Sequence, residues 1–212
     1  MVTPERGLLY HCTHISNLAS ISEEGLFSDV QIKANQKMPT EIGHATIKQR
    51  RWQRVVPLPP GGCVADYVPF YFAARSPMLG SVSRGRVPTY SGSQDEIVYL
   101  VTSIDRVDEG RLGFVFTDRN AALHNARYGN DLQDLDDYVD WELMEGRMWD
   151  NTAEEPDRME RRMAEFLVHR HVPWPVFIGV AARSAAQCRQ AEHLLASVGA
   201  SPFVKSRPDW YF

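Results

Sequence analysis

The sequence predicts an α+β fold, and three observations carry that expectation. Runs rich in β-branched and aromatic residues cluster in the middle and at the end of the chain, at 97–102, 112–117, 164–169 and 176–180. Segments with helical spacing lie early or at the periphery, at 16–24 and 184–198, and each stops at a glycine, Gly25 or Gly199. No repeat or low-complexity linker divides the chain. With 43% apolar content over 212 residues, one core is enough, so residues 1–212 are expected to form a single domain.

In chain order, Leu8 to Thr13 reads as a short strand, and Ser16 to Glu24, with Leu18 and Ile21 on one face, as a short helix. Residues 28–47 are polar and poorly periodic. Thr46 to Val55 forms a basic amphipathic stretch that ends at the breaker Pro57-Leu58-Pro59-Pro60-Gly61-Gly62. The run Tyr67 to Phe72 is aromatic and extended, and Pro69 places it at a sheet edge or a strand start, because proline cannot donate to a ladder. Ile97 to Thr102 and Leu112 to Thr117 read as strands. Residues 118–163 are acidic, loop-like and helical by turns. Strands return at Ala164 to His169, Val176 to Val180 and Pro202 to Lys205, around an Ala- and Gln-rich helix over Ser184 to Val198.

Composition narrows the function classes. The chain has no stretch of about 18 uncharged apolar residues and no charged-then-apolar leader with a small-residue cleavage site. Neither a membrane span nor a secretory signal is indicated, and the cytoplasm is the expected location. Three widely spaced cysteines, Cys12, Cys63 and Cys188, give neither a disulfide framework nor a CxxC metal pair. The net charge of −4 supplies no bulk attraction for nucleic acid, although a local basic surface can still do so.

Four places in the chain combine chemistry-bearing side chains. His11 and Thr13 lie two apart, so in a strand they present a donor and an acceptor to one side. By itself this step is weak: both can equally satisfy a strand-to-helix turn, with His14 or Ser16 capping the helix and Asn17 in its first turn. Lys48, Arg50, Arg51 and Arg54 surround Trp52, a pattern able to grip phosphate but usual for a solvated helix face. Arg51 lies four residues after Ile47, which brings one arginine near the buried side. Further cations at Arg75, Arg84 and Arg86 can offset the global acidity on one face. Glu165 sits in the apolar run Ala164 to Val168, where an unpaired charge is expensive to desolvate. If Asp157 to Met163 is a helix that hands over to a strand at Ala164, Glu165 faces a cleft or solvent at the strand's start. Met159, Met163, Phe166 and Leu167 also fit helical spacing, and pattern alone slightly favours an exposed Glu165 on a helix.

Taken together, YHCTHISNLASISEEGL, IKQRRWQRVVP, GGCVADYVPFYFAARSPM, GFVFTDRNAA, DYVDWELM and RRMAEFLVHRHVPW resemble the DarT family of DNA ADP-ribosyltransferase toxins. The segments span most of residues 8 to 180. The resemblance implies the ADP-ribosyltransferase fold, with a split antiparallel β core and peripheral helices, and transfer of ADP-ribose from NAD to a base in single-stranded DNA. NAD is then a co-substrate, and no metal is needed. It also implies a macrodomain antitoxin as partner, and a monomer is expected. Residue by residue, His11, Thr13 and Asn17 match the family's NAD-holding first strand and turn, Tyr71 the aromatic that stacks on nicotinamide, and Met78 a lining residue. Arg51 matches the essential arginine, serving either the diphosphate or proton removal from the base, and Glu165 the catalytic glutamate, with Glu160 a near rival and Glu142 a distant one. The segment 117–149 is expected to read the substrate, with Tyr128 stacking on unpaired bases. The run Phe116 to Asn120 departs from the Gly or His that the family shows here, which leaves the base open between thymine, toward which the likeness leans, and guanine. Relatives acting on RNA or protein, and an inactive module that binds NAD or nucleic acid, are the competing readings.

Overall fold

The computed structural model describes residues 7–200 and 203–212. Its first strand, β1 (Leu8–His14), passes through a 3-10 turn into α1 (Leu18–Glu24), which stops at Gly25 with φ +85°. A Cβ at that position would overlap the His171 ring and lie 2.7 Å from the Val172 carbonyl oxygen, so glycine is needed both for the dihedral and for the space. β2 (Leu26–Phe27), α2 (Asp29–Ala34), α3 (Ala45–Gln53), β3 (Tyr67–Tyr71), α4 (Pro77–Ser83) and β4 (Ile97–Ser103) follow. Then come α5 (Ile104–Glu109), β5 (Phe114–Thr117), β6 (Tyr128–Gly129), α6 (Trp141–Glu145) and α7 (Arg158–Arg161). The last elements are β7 (Glu165–His169), β8 (His171–Val172), β9 (Gly179–Ala182), α8 (Ala185–Ala196) and β10 (Phe203–Ser206).

Eight strands form one sheet in the order β10-β9-β4-β1-β3-β7-β5-β6, while β2 and β8 pair separately. Every pairing is antiparallel except β9 with β10. β1 pairs with β4 from Leu8↔Ser103 to His14↔Ile97, and β3 with β7 from Tyr67↔His169 to Tyr71↔Glu165. Between β1 and β3 the register holds at one pair only, Tyr10↔Tyr71. The sheet therefore splits there into two halves, as the α+β, split-core expectation requires.

Pro69 corrects its sequence-based position. It lies in the middle of a central strand, between β1 and β7, not at an outer edge or a strand start. The reason is the split. In an extended strand the N–H and C=O of one residue face the same neighbour. The Pro69 carbonyl accepts from the His11 ring on β1, 2.8 Å away, so its missing N–H falls on the side where β1 has separated and no ladder bond is lost.

The inner strands are held by full burial of Leu9, Phe70, Phe116, Phe166 and Val168 in one core, with Phe166 stacked on Phe114 at 4.9 Å. Burying each of these side chains stabilises the fold by roughly 2–3 kcal/mol. On the other face of β7, Leu167 packs with Val56, Val64, Tyr67 and Val115. Local readings changed in two places. Residues 28–47 contain α2, which buries no side chain and so leaves no apolar period, although Ser28 caps it by accepting from Gln31 N. The strand expected over 176–180 starts later, at Gly179, after a 3-10 turn over Trp174–Val176 that begins behind Pro173. Of the strand expected over 202–205, Pro202 lies outside the described residues and the rest belongs to β10.

Candidate active site

Glu165 opens β7 and stands in register with Tyr71 on β3, which in turn faces Tyr10 on β1 at the split. It is 2% exposed. Strand geometry with burial replaces the exposed-helix reading. Both carboxylate oxygens accept from Arg51 Nη1 at 3.0 Å, and Oε2 also accepts from Ala121 N at 3.3 Å. The backbone around the carboxylate is fixed as well. Glu165 N donates to Thr117 Oγ1, Thr117 Oγ1 donates to Arg119 O, and Tyr128 Oη donates to Ala121 O at 2.6 Å. Tyr128, with Arg54 over its ring at 6.0 Å and its hydroxyl engaged, thus braces the loop beside Glu165.

Arg51 inverts the usual logic of an amphipathic helix. It is the buried residue of α3, while Ile47 and Trp52 are each 39% exposed. Desolvating a guanidinium is tolerable only with a paired anion. Burial works against the Arg51 charge, but Glu165 and then Asp29 outweigh it, so its pKa lies above the ordinary arginine value. Its Nη2 is buried without a hydrogen-bond partner among the described residues, an unfilled donor beside an occupied one.

These two residues, with His11, Thr13, Asn17, Tyr71 and Met78, line a single cavity of about 880 Å³. Tyr71 has no ring partner and no side-chain hydrogen bond among the described residues, and burial followed by the Glu165 charge pushes its pKa up, so the phenol stays neutral. Asn17 lines the same cavity, yet its amide is engaged. Nδ2 donates to Thr13 Oγ1 and Thr40 O, and Oδ1 accepts from Thr40 N at 2.9 Å. It ties the segment after α2 to the first strand. Among the alternatives left open at the first turn, His14 is the cap, with its Nδ1 accepting from Ser16 N. Glu160 does not line the cavity: it is half-buried and paired with Arg119 at 3.2 Å. Glu142 is exposed on α6.

Among the lining residues that sequence reasoning missed are Asn120 and Trp149. Asn120 is buried, and its Oδ1 accepts from Ala122 N. Its position directly after β5, opposite the start of β7, was the available signal. Trp149 donates from Nε1 to Arg75 O at 2.9 Å, a contact that no local pattern encodes.

The state of His11 follows from its partner. A carbonyl only accepts, so Nδ1 must carry the proton toward Pro69, and Nε2 remains an acceptor. Burial pushes its pKa from 6.5 down to about 4, more than the Pro69 bond and Asp29 raise it. Between these values the unfolded chain binds more protons, so stability rises with pH across the window and is lost as pH falls through it. We expect about 2 kcal/mol from this group, reduced by its partial exposure to solvent. Melts at pH 7 and 4.5 check this: wild type should lose more stability on acidification than His11→Gln. Equal losses would refute a neutral, buried His11.

A sheet split beside a His-x-Thr strand, an unstacked tyrosine and a buried Arg–Glu pair meet around one cavity, the arrangement that the resemblance to the ADP-ribosyltransferases implies. Among the described residues no group of three or more His, Cys, Asp and Glu is placed to hold a metal ion. The family model described as ssDNA thymidine ADP-ribosyltransferase, DarT, matches residues 10–212. A DNA ADP-ribosyl transferase of Thermus sp. (strain 2.9) is 38% identical over 213 residues, covering 99% of this chain and 98% of that protein. Thermus sp. 2.9 DarT in complex with ADP-ribosylated ssDNA superposes with a TM-score of 0.91 at 36% identity, covering 100% of this chain and 99% of that one. In complex with NAD+ the same protein gives 0.83 at 35% identity, with 99% of both chains covered. The chain belongs to the DarT family of DNA ADP-ribosyltransferase toxins. It is an enzyme that ADP-ribosylates thymine in single-stranded DNA at the expense of NAD.

Proposed function

We propose that Glu165 and Arg51 carry this transfer, with His11, Thr13, Tyr71 and Met78 holding NAD and Asn17 keeping the cavity wall closed around it. The observation behind this reading is that residues from β1, α3, β3, α4 and β7 converge on one cavity with complementary unfilled valences. The unpartnered Arg51 Nη2, the bare ring of Tyr71 and the His11 Nε2 acceptor fit a ligand with a diphosphate, a planar heterocycle and ribose hydroxyls. When bound, NAD supplies the ADP-ribosyl group and releases nicotinamide. Glu165 orients a ribose hydroxyl and stabilises the positive charge that develops on the sugar as the nicotinamide bond breaks. Arg51, its charge reinforced by Glu165, is a poor proton acceptor at neutral pH. It assists by stabilising the base nitrogen as that nitrogen releases its proton to water and attacks the sugar, or by gripping the diphosphate.

Family membership supports the wider expectations: residues 1–212 act as one ADP-ribosyltransferase domain, monomeric and cytoplasmic, opposed by a macrodomain antitoxin that removes the mark. Among the described residues no helix is long and apolar enough to cross a membrane. The deciding experiment is mass spectrometry of a mixed-sequence single strand, an RNA and a protein panel after incubation with NAD. We expect ADP-ribose on thymine of the DNA strand. A mark on guanine, RNA or protein, or NAD binding without turnover, would replace this reading.

A further inference from the structure

The cavity has lining residues that the transfer chemistry does not use: Ser81, Arg84, Arg86 and Val87, on and after α4, which also carries Met78. Arg84 and Arg86 flank Gly85, whose φ is +63°, and Gly85 N bonds Val82 O while Arg86 N bonds Ser81 O. That double bond pattern is a Schellman stop, which fixes the backbone of both arginines. Each side chain is exposed, and neither has a carboxylate partner among the described residues. A cation at the C-terminus of α4 is favoured by the helix dipole, but that accounts for one arginine and not for a second along the cavity wall.

The surface continues outward with the same character. Arg75 lies over the Phe212 ring at 4.1 Å and Arg84 at 5.9 Å, and Trp149 meets that ring edge-on at 6.2 Å. Arg75 is held at φ +56°, rare for a residue with a side chain, by Tyr99 and Trp149 on its two backbone groups. Its Nε is buried without a partner. Burial and the like charge of Arg147 pull its pKa below the usual arginine value, so an anion on this face would relieve both.

Charge elsewhere in the cavity lining is mixed, Lys37, Lys48 and Arg51 against Glu24, Asp29, Glu41 and Glu165, but one segment beside it is strongly acidic. Residues 130–160, which reach the cavity through Trp149 and Met159, hold twelve carboxylates and two arginines. Of those arginines Arg158 is tied to Glu155, which leaves Arg147. A thymine that enters the cavity must lead its flanking phosphates out over the rim, and the acidic segment repels them within a screening length of about 8 Å.

Resting on the reading that single-stranded DNA is the substrate, we propose that Arg84 and Arg86, continued by Arg75 and Arg147, form a phosphate track. This track grips the sugar-phosphate backbone beside the target base. Phe212 and Trp149 stiffen it as a cation–π and packing support.

The test uses fluorescence anisotropy of a labelled thymine-containing single strand without NAD, over a salt series, alongside NAD binding by calorimetry. For Arg84→Ala/Arg86→Ala we expect DNA affinity to fall roughly tenfold and the slope of log K against log salt to flatten by about 1.4, two phosphates at about 0.7 each. NAD affinity should stay within twofold. Arg84→Lys/Arg86→Lys should regain most of the slope. Unchanged DNA affinity and slope in the alanine variant would overturn the track. So would a loss confined to NAD affinity, which would assign these arginines to the NAD diphosphate. A wild-type protein that neither binds nor modifies the strand would overturn the functional reading, and the track with it.

Discussion

Glu165→Gln is expected to lower the rate of ADP-ribose transfer to single-stranded DNA by about 10³-fold or more. Glutamine keeps the side-chain length and one acceptor oxygen, while it removes the negative charge that faces the developing cation on the ribose and turns the second acceptor into an NH2 donor. It is a cleaner probe than alanine. Glu165 is the anion paired to a buried Arg51, and deleting one partner of such a pair typically costs about 3–5 kcal/mol. Both variants therefore mix lost catalysis with lost stability, and alanine adds the loss of packing and of the remaining hydrogen bond. Initial rates with labelled NAD, alongside a melting curve for each variant, separate the two effects. The companion variant Glu160→Gln breaks a half-buried pair with Arg119, which keeps Asp118 and Asp157 as partners, and should leave the rate unchanged with about 1 kcal/mol of stability at stake. A fast Glu165→Gln enzyme with a slow Glu160→Gln enzyme would reverse the assignment.

Arg51→Ala is expected to combine a transfer loss of about 10² to 10³-fold with a stability loss of about 3–5 kcal/mol, because it leaves Glu165 buried and unpaired. The informative variant is Arg51→Lys. A lysine can hold a charge near Glu165 and retain much of the stability. It has one nitrogen, however, so even with three N–H donors it cannot pair with the carboxylate and also place a donor where Nη2 lies. We expect Arg51→Lys to melt within about 2 kcal/mol of wild type yet remain severely impaired in transfer. Comparing NAD affinity with kcat then decides its role. A loss mainly in kcat places Arg51 on the base, whereas a matching loss in NAD binding places it on the diphosphate. Wild-type rates in Arg51→Lys would remove the arginine fork from the mechanism.

Much of the architecture was legible in local pattern. The first strand and helix, the strands at 97–103 and 165–169, and the helix of Ala185–Ala196 each carry a period and a stop signal that the fold obeys. Elements without a buried face escaped. α2 buries no side chain, and β9 starts later than its apolar run because Trp174–Val176 turns first. Pro69 misled for a physical reason: proline marks an edge, and here the edge is the interior split between β1 and β3. For Glu165, pattern alone favoured the wrong environment, and the family resemblance of the surrounding segments reversed that preference.

By itself the sequence determined which chemistry is present: a strand with His11 and Thr13, an arginine-rich helix, an aromatic strand ending at Tyr71 and one carboxylate in an apolar run. The tertiary structure alone decided which of these groups meet. Arg51 and Glu165 are 114 residues apart, and their pairing depends on the register that runs from β1 through β3 to β7, with Phe166 and Val168 locking β7 into the core. Burial then settles the charge states, because a guanidinium and a carboxylate both withdrawn from water persist as ions only in each other's field. No local periodicity carries that information, since it arises from which strands become neighbours.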